Sequence, residues 1–191
     1  MNRAPRTASL WRYDLQQSLK GSFTVRAHGL LTTKFALLNS EGKSFGRLQL
    51  RGLSIAEFES EGCVAILTQT EGSYQMIAEG EEVLNAVPKG QSVDELEISC
   101  GGRTYEARVS FFRNVAVASY GKGSGRAAHV SGGLLGRSYQ VLFAPDDGCA
   151  LPAAVFLLWH VAANRRRAYR MGSPRGRGGV QRALRRGLAP R

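Results

Sequence analysis

From about residue 22 to about residue 143 the chain alternates apolar and polar side chains with a period of two. Phe23 and Val25 stand between polar neighbours, and Phe35 with Leu37 and Leu48 with Leu50 repeat the pattern. Tyr74, Met76 and Ala78 continue it, followed by Leu96, Ile98 and Cys100, then by Tyr105, Ala107, Val109 and Phe111. Val115 and Val117 mark a further segment, and Tyr139, Val141 and Phe143 the last. Such alternation turns one face of a strand toward a core. Two junctions carry turn chemistry. Asn39–Lys43 (N-S-E-G-K) places a glycine where a positive φ is expected, and Gly101-Gly102 joins two alternating runs as a hairpin. Cys63–Thr68 (C-V-A-I-L-T) is apolar without alternation, which predicts a strand covered on both faces. Turn signals recur about every ten residues and mark about ten to twelve strands, the pattern of an all-β sandwich or barrel rather than of βαβ units.

One segment breaks the period. Ala150 to Ala163 is almost wholly apolar, with acids before it and Arg165, Arg166 and Arg167 after it. Asp146 or Asp147 suits a helix N-cap, Pro152 suits only a first turn, and the arginines suit the negative end of the dipole. The spacing predicts a helix over about 151–169. Val155, Phe156, Leu157, Leu158, Trp159 and Val161 cover its whole circumference, so it must be enclosed. Fourteen residues at about 1.5 Å each span roughly 21 Å, short of a hydrocarbon core of about 30 Å. A helix threading a closed sheet fits this length, since a barrel needs its interior filled. No transmembrane span is expected.

A barrel of about twelve strands around a hydrophobic C-terminal helix resembles the tubby-like architecture of tubby C-terminal domains, phospholipid scramblases and LURP-one-related proteins. The chain looks like a bacterial-type member. The segments that carry the resemblance are F-T-V-R (Phe23–Arg26), F-A-L-L-N-S-E-G-K-S-F-G-R-L (Phe35–Leu48), G-G-L-L-G-R-S-Y-Q-V-L-F (Gly132–Phe143) and L-P-A-A-V-F-L-L-W (Leu151–Trp159). The resemblance implies a mainly β fold, a closed antiparallel barrel with the helix inside, over about residues 12–170. The scramblases' Pro-rich N-terminal segment, acylated cysteine cluster and acidic calcium loop have no counterpart here, and the basic lipid pocket of tubby is not matched residue by residue. The resemblance therefore carries a fold and leaves the activity open.

Charge changes the picture at one end. The chain of 191 residues has a formal net charge of +11, from 26 basic and 15 acidic residues. Ten arginines and no acid fall in residues 165–191, so residues 1–164 carry 26 − 10 = 16 basic residues against 15 acidic ones. Composition then divides the chain into a flexible N-terminus (1–10), one barrel domain (11–171) and a disordered Arg/Gly-rich tail (172–191). Arg165, Arg166, Arg167, Arg170, Arg175, Arg177, Arg182, Arg185 and Arg186 are the candidate polyanion contacts. A flexible polycation attracts anionic headgroups or nucleic-acid phosphates without sequence preference.

The search for catalytic chemistry returns little. Cys63, Cys100 and Cys149 are odd in number and widely spaced, which suits buried thiols in a reducing compartment. His28, His129 and His160 have no Cys, Asp or Glu at ligand spacing; His160, on the apolar helix, is expected to bond a strand carbonyl. Glu57, Glu59, Glu61, Glu79, Glu81 and Glu82 read as solvated surface, including protection of strand edges. Gly42-Lys43-Ser44 lacks the leading glycine of a phosphate loop, which would fall at Leu37, and no helix pattern follows it. Gly121-Lys122-Gly123-Ser124-Gly125 reads as a mobile loop between strands; as an anion-holding loop it would use Lys122 and Arg126. No catalytic residue, cofactor or metal is expected. Arg3 and Arg6 are not followed by an apolar run, so no secretory signal is expected. The sequence reads as a non-enzymatic binding or scaffold protein, cytoplasmic or peripheral to a membrane, whose partner is anionic lipid or another protein. The competing classes are a nucleic-acid-associated protein acting through the tail and a small enzyme without a recognisable motif.

Overall fold

A computed structural model describes residues 10–28, 33–90, 93–121, 124–133 and 136–172. Helix α1 (Leu10–Leu19) leads into β1 (Ser22–His28), β2 (Lys34–Leu38), β3 (Ser44–Leu50), β4 (Ile55–Ser60), β5 (Cys63–Thr70) and β6 (Ser73–Ala78). Then follow β7 (Glu81–Pro88), β8 (Glu95–Cys100), β9 (Arg103–Ser110), β10 (Val115–Tyr120), β11 (Ser124–Gly132), β12 (Ser138–Phe143) and helix α2 (Ala150–Gly172). Each strand pairs antiparallel with the next, and β1 pairs with β12 to close a twelve-stranded barrel, with Phe23 opposite Val141 and Arg26 opposite Ser138.

The period-two residues are the lumen. Phe23, Val25, Phe35, Leu37, Leu48, Leu50, Tyr74, Met76, Leu96, Ile98, Tyr105, Tyr139 and Val141 are all buried. Turn chemistry behaves as the sequence predicts. Asn39 accepts backbone N–H bonds from Glu41 at 3.1 Å and Lys43 at 2.9 Å, and Gly42 has φ 77°. Gly101 and Gly102 both have positive φ, as a tight two-residue hairpin requires.

Four expectations are corrected. Cys63–Thr68 is covered on one face only: Cys63, Ala65 and Leu67 point inward, while Val64 is 50% exposed and Ile66 is exposed too. Its outer face carries β-branched residues because these suit a pleated surface, not because a second layer covers them. In β10 the inward residues are Ala116 and Ala118, not Val115 and Val117. A closed barrel has no edges to protect, so Glu57 and Glu59 serve otherwise: on the outer face of β4 they pair with Arg51 at 2.9 Å and Arg47 at 2.5 Å. In Gly121–Gly125, Ser124 already begins β11 opposite Tyr120, and the register slips there in a bulge; Lys122 lies outside the described residues.

Helix α2 fills the barrel. Every residue from Ala150 to Ala163 is buried, whichever way it faces. The helix packs chiefly on β10, β11 and β12. That wall is lined by Ala116, Ala118, Ala127 and Ala128, whose small side chains let the helix backbone approach. The opposite wall supplies bulk, from Leu48, Phe58, Leu67, Met76, Leu84 and Leu96. Burying a side chain such as Leu157 or Phe156 stabilises the fold by about 1.5–3 kcal/mol relative to exposure. Among the described residues no helix is long and apolar enough to cross a membrane.

Candidate functional site

Up-and-down strand order fixes the two ends of the barrel. The β2–β3, β4–β5, β6–β7, β8–β9 and β10–β11 turns lie where α2 enters; the β1–β2, β3–β4, β5–β6, β7–β8, β9–β10 and β11–β12 turns lie where it leaves.

The entry end is latched by Asp147. Its carboxylate accepts the Tyr105 hydroxyl at 2.8 Å and the Cys149 backbone N–H at 3.0 Å, and it pairs with Arg103 at 2.7 Å. It therefore ties β9 to the start of α2 while sitting at the positive end of the helix dipole. Asp146 is exposed and takes no such role. Gln16 of α1 donates to the carbonyls of Ala144 and Asp147, which pins the β12–α2 connection beneath α1. The Cys149 thiol donates to the Cys100 carbonyl at 3.1 Å, and a side chain at Gly101 would meet its sulfur at 2.9 Å. Burial, reinforced by the hydrogen bond to Asp147, pushes the Tyr105 hydroxyl far up and that of Tyr120 up to about 12. Both phenols stay protonated as donors at neutral pH. The group is a structural network that ties α1, β9 and the start of α2 together.

The exit end is different. His160 is buried below it, its ring 4.9 Å from Tyr74 and 5.4 Å from Phe111, with Nε2 3.3 Å from the Val93 carbonyl. That carbonyl belongs to the β7–β8 loop, not to a strand as the sequence suggested. Burial lowers the imidazole to about 4, against a smaller opposing pull from the Val93 bond. Above it, Arg165, Arg166 and Arg167 are half-buried on the rim. Arg167 donates to the Leu53 carbonyl at 2.9 Å, to Asn164 Oδ1 at 3.2 Å and to Gln69. Arg165 donates to the Phe111 carbonyl at 3.5 Å. Arg170 lies within α2; Arg175, Arg177, Arg182, Arg185 and Arg186 fall outside the described residues, as do residues 1–9.

One residue that sequence reasoning passed over stands out here. Phe112, in the β9–β10 turn, is 94% exposed. Asn114 fixes that turn: it takes φ 58°, donates its N–H to the Phe111 carbonyl at 3.3 Å, and donates its amide to the Gly133 carbonyl at 2.9 Å. The close approach needs a glycine beside it, since a Cβ on Gly132 would stand 2.1 Å from Asn114 Nδ2. The available signal was local. Phe111 completes an inward alternation, so the second phenylalanine has no inward place.

Charge divides between the ends. Exit-end turns and the last turns of α2 carry Arg51, Lys89, Arg113, Arg137 and Arg165–Arg167, against Glu71 and Asp94. Among the described residues, entry-end turns carry Glu41, Glu61, Glu79, Asp146 and Asp147, against Lys20 and Lys43. Two surface hollows of about 420 Å³ each accompany this. One is a polar groove on the barrel wall beside Arg26, Ser131 and Ser138; the other is an apolar groove at the exit end, lined by Phe111, Phe112, Asn164, Arg165 and Ala168. No group of three or more His, Cys, Asp or Glu residues suited to a metal ion occurs among the described residues.

The fold defines the class: a closed antiparallel barrel of twelve strands built around its own C-terminal helix. The chain is similar in structure to a protein from Arabidopsis thaliana solved by X-ray crystallography, with a TM-score of 0.51 and 10% sequence identity, covering 75% of this chain and 93% of that one. Comparison by sequence finds no matching protein family and no matching curated protein.

Proposed function

We propose that this protein is a non-enzymatic binding module of the tubby-like and LURP-one-related kind, which attaches peripherally to anionic lipid surfaces by its exit end. The strand order, the enclosed helix and the likeness to the Arabidopsis protein support the kinship. One observation carries the function: a phenylalanine held 94% exposed on a fixed turn, beside Arg113 and the arginines of the α2 exit. Solvent gives no reason to hold such a ring outward, whereas a membrane interface accepts both the ring and its basic surround. Because α2 fills the lumen, ligands are met on the outside. Each basic residue near an anionic leaflet contributes about 1 kcal/mol at moderate salt. Arg175, Arg177, Arg182, Arg185 and Arg186 follow α2 in the sequence and add to its positive charge.

Co-sedimentation of the full chain with phosphatidylcholine vesicles, with and without phosphatidylserine, tests this. Binding should require the anionic lipid, fall steeply between low and physiological salt, and weaken in Arg113→Gln and Arg166→Gln. Equal binding to neutral and anionic vesicles, or none to either, would overturn the reading.

A further inference from the structure

The apolar groove at the exit end has the chemistry of an amphiphile site. Phe111 and Phe112 form one wall, and Ala168 of α2, itself exposed, faces them. Asn164, whose amide is fixed by donating to the His160 carbonyl at 2.8 Å, and Arg165 stand at the same groove, so a polar group and a cation border an apolar trough. Its volume of about 420 Å³ falls within the range of small-ligand sites, about 300–1,000 Å³. Phe111 is anchored from below by His160, and Asn114 holds the turn, so both phenylalanines are placed before any ligand arrives. We infer that this groove takes one saturated acyl chain carrying an anionic head, with the chain between Phe112 and Ala168 and the head at Arg165 and Asn164. Charge complementarity selects the sign of the head: Arg113 and Arg137 surround the same rim. The inference deepens the lipid-surface reading and rests on it for the choice of ligand. The same chemistry is offered by a free fatty acid and by a chain splayed from a membrane lipid.

The probes are hexanoate, octanoate and decanoate below their micellar concentrations, titrated calorimetrically into the full chain, alongside phosphatidylserine-containing vesicles. Affinity should rise roughly fourfold per added methylene until the groove is filled. Phe112→Ser should weaken decanoate binding on the order of tenfold while leaving the melting temperature unchanged, since its ring lies outside the core. Ala168→Glu should do the same by placing a carboxylate in the trough. Loss of vesicle binding in both variants as well would identify membrane lipid as the source of the chain. Decanoate binding without vesicle binding would keep the groove, assign it to a free fatty acid and remove the membrane reading. Affinity independent of chain length, or decanoate binding untouched by both substitutions, would overturn the inference, whatever the vesicles do.

Discussion

Asp147 and His160 are two buried polar residues with opposite relations to charge. Asp147 sits among donors that suit a carboxylate, and removing it strands them. Asp147→Ala should cost about 2 kcal/mol, chiefly by leaving the buried Tyr105 hydroxyl and Cys149 N–H without their acceptor, since the Arg103 partner is solvent-exposed, and should lower the melting temperature by roughly 4–8 °C for a chain of this size. A fall under about 2 °C in a thermal scan would show that Arg103 and Tyr105 hold the end without it. His160 is instead kept neutral. Its folded value of about 4 lies below the ordinary 6.5, so between these limits the unfolded chain binds the extra proton. The stability that His160 contributes is therefore intact above about pH 6.5 and lost as pH falls toward 4, by about 3 kcal/mol in total. His160→Phe should flatten that part of the profile in urea titrations at pH 7, 5.5 and 4.5; an unchanged slope would assign the acid sensitivity to other groups. At this scale the sequence was half legible. An acid before the apolar run announced the cap, but nothing in local spacing links Asp147 to Tyr105, which reaches it only when β9 lies beside the helix start.

Among the elements, α2 and the strands with strict alternation were the readable ones, because a single face or a full circumference records its environment directly. Strand β5 misled because its outward Val64 and Ile66 are apolar although solvent reaches them. Strand β7 was unreadable for a related reason: Glu81 and Glu82 open it and Val83 and Leu84 are both buried, so its period is blurred at a register shift. Helix α1 has little apolar contrast and is held through contacts such as that of Gln16, which no local pattern encodes. The enclosed helix makes two sharp predictions. Leu157→Asp should abolish soluble expression, since an unpaired charge inside the barrel costs several kcal/mol; normal yield with native circular dichroism would contradict enclosure. Ala118→Leu, on the wall nearest the helix, should destabilise by about 1–3 kcal/mol through overpacking, measurable by urea denaturation. A similar substitution at a position lined by large side chains has no helix backbone to displace.

For the whole molecule, the barrel is expected to be independent of the last nineteen residues. Residues 173–191 carry Val180, Leu184 and Leu188 as their only large apolar groups, too few to offset ordering by burial. Deleting them should leave the melting temperature within about 5 °C of the full chain, and a larger drop would show that they pack. Vesicle binding should weaken with the deletion yet persist through the exit end. The excess of acids over bases in the described entry-end turns, and of bases over acids in the exit-end turns, was hidden in the sequence: residues 1–164 are nearly neutral in sum, and the excess emerges only once the alternating strand directions assign each turn to an end.

Closing β1 against β12 also sets an order of events. The first strand leaves the ribosome without its second partner, and that partner arrives only just ahead of the helix that must occupy the lumen. No fragment that stops short of β12 and α2 can complete the ladder or fill the interior, so the nascent chain keeps an open sheet with an unpaired strand until both are made. Such long-range pairing is slow and exposes apolar surface meanwhile. A translational stall before residue 150 would leave a chain that aggregates or recruits a chaperone, whereas release after α2 lets the barrel shut in one cooperative step.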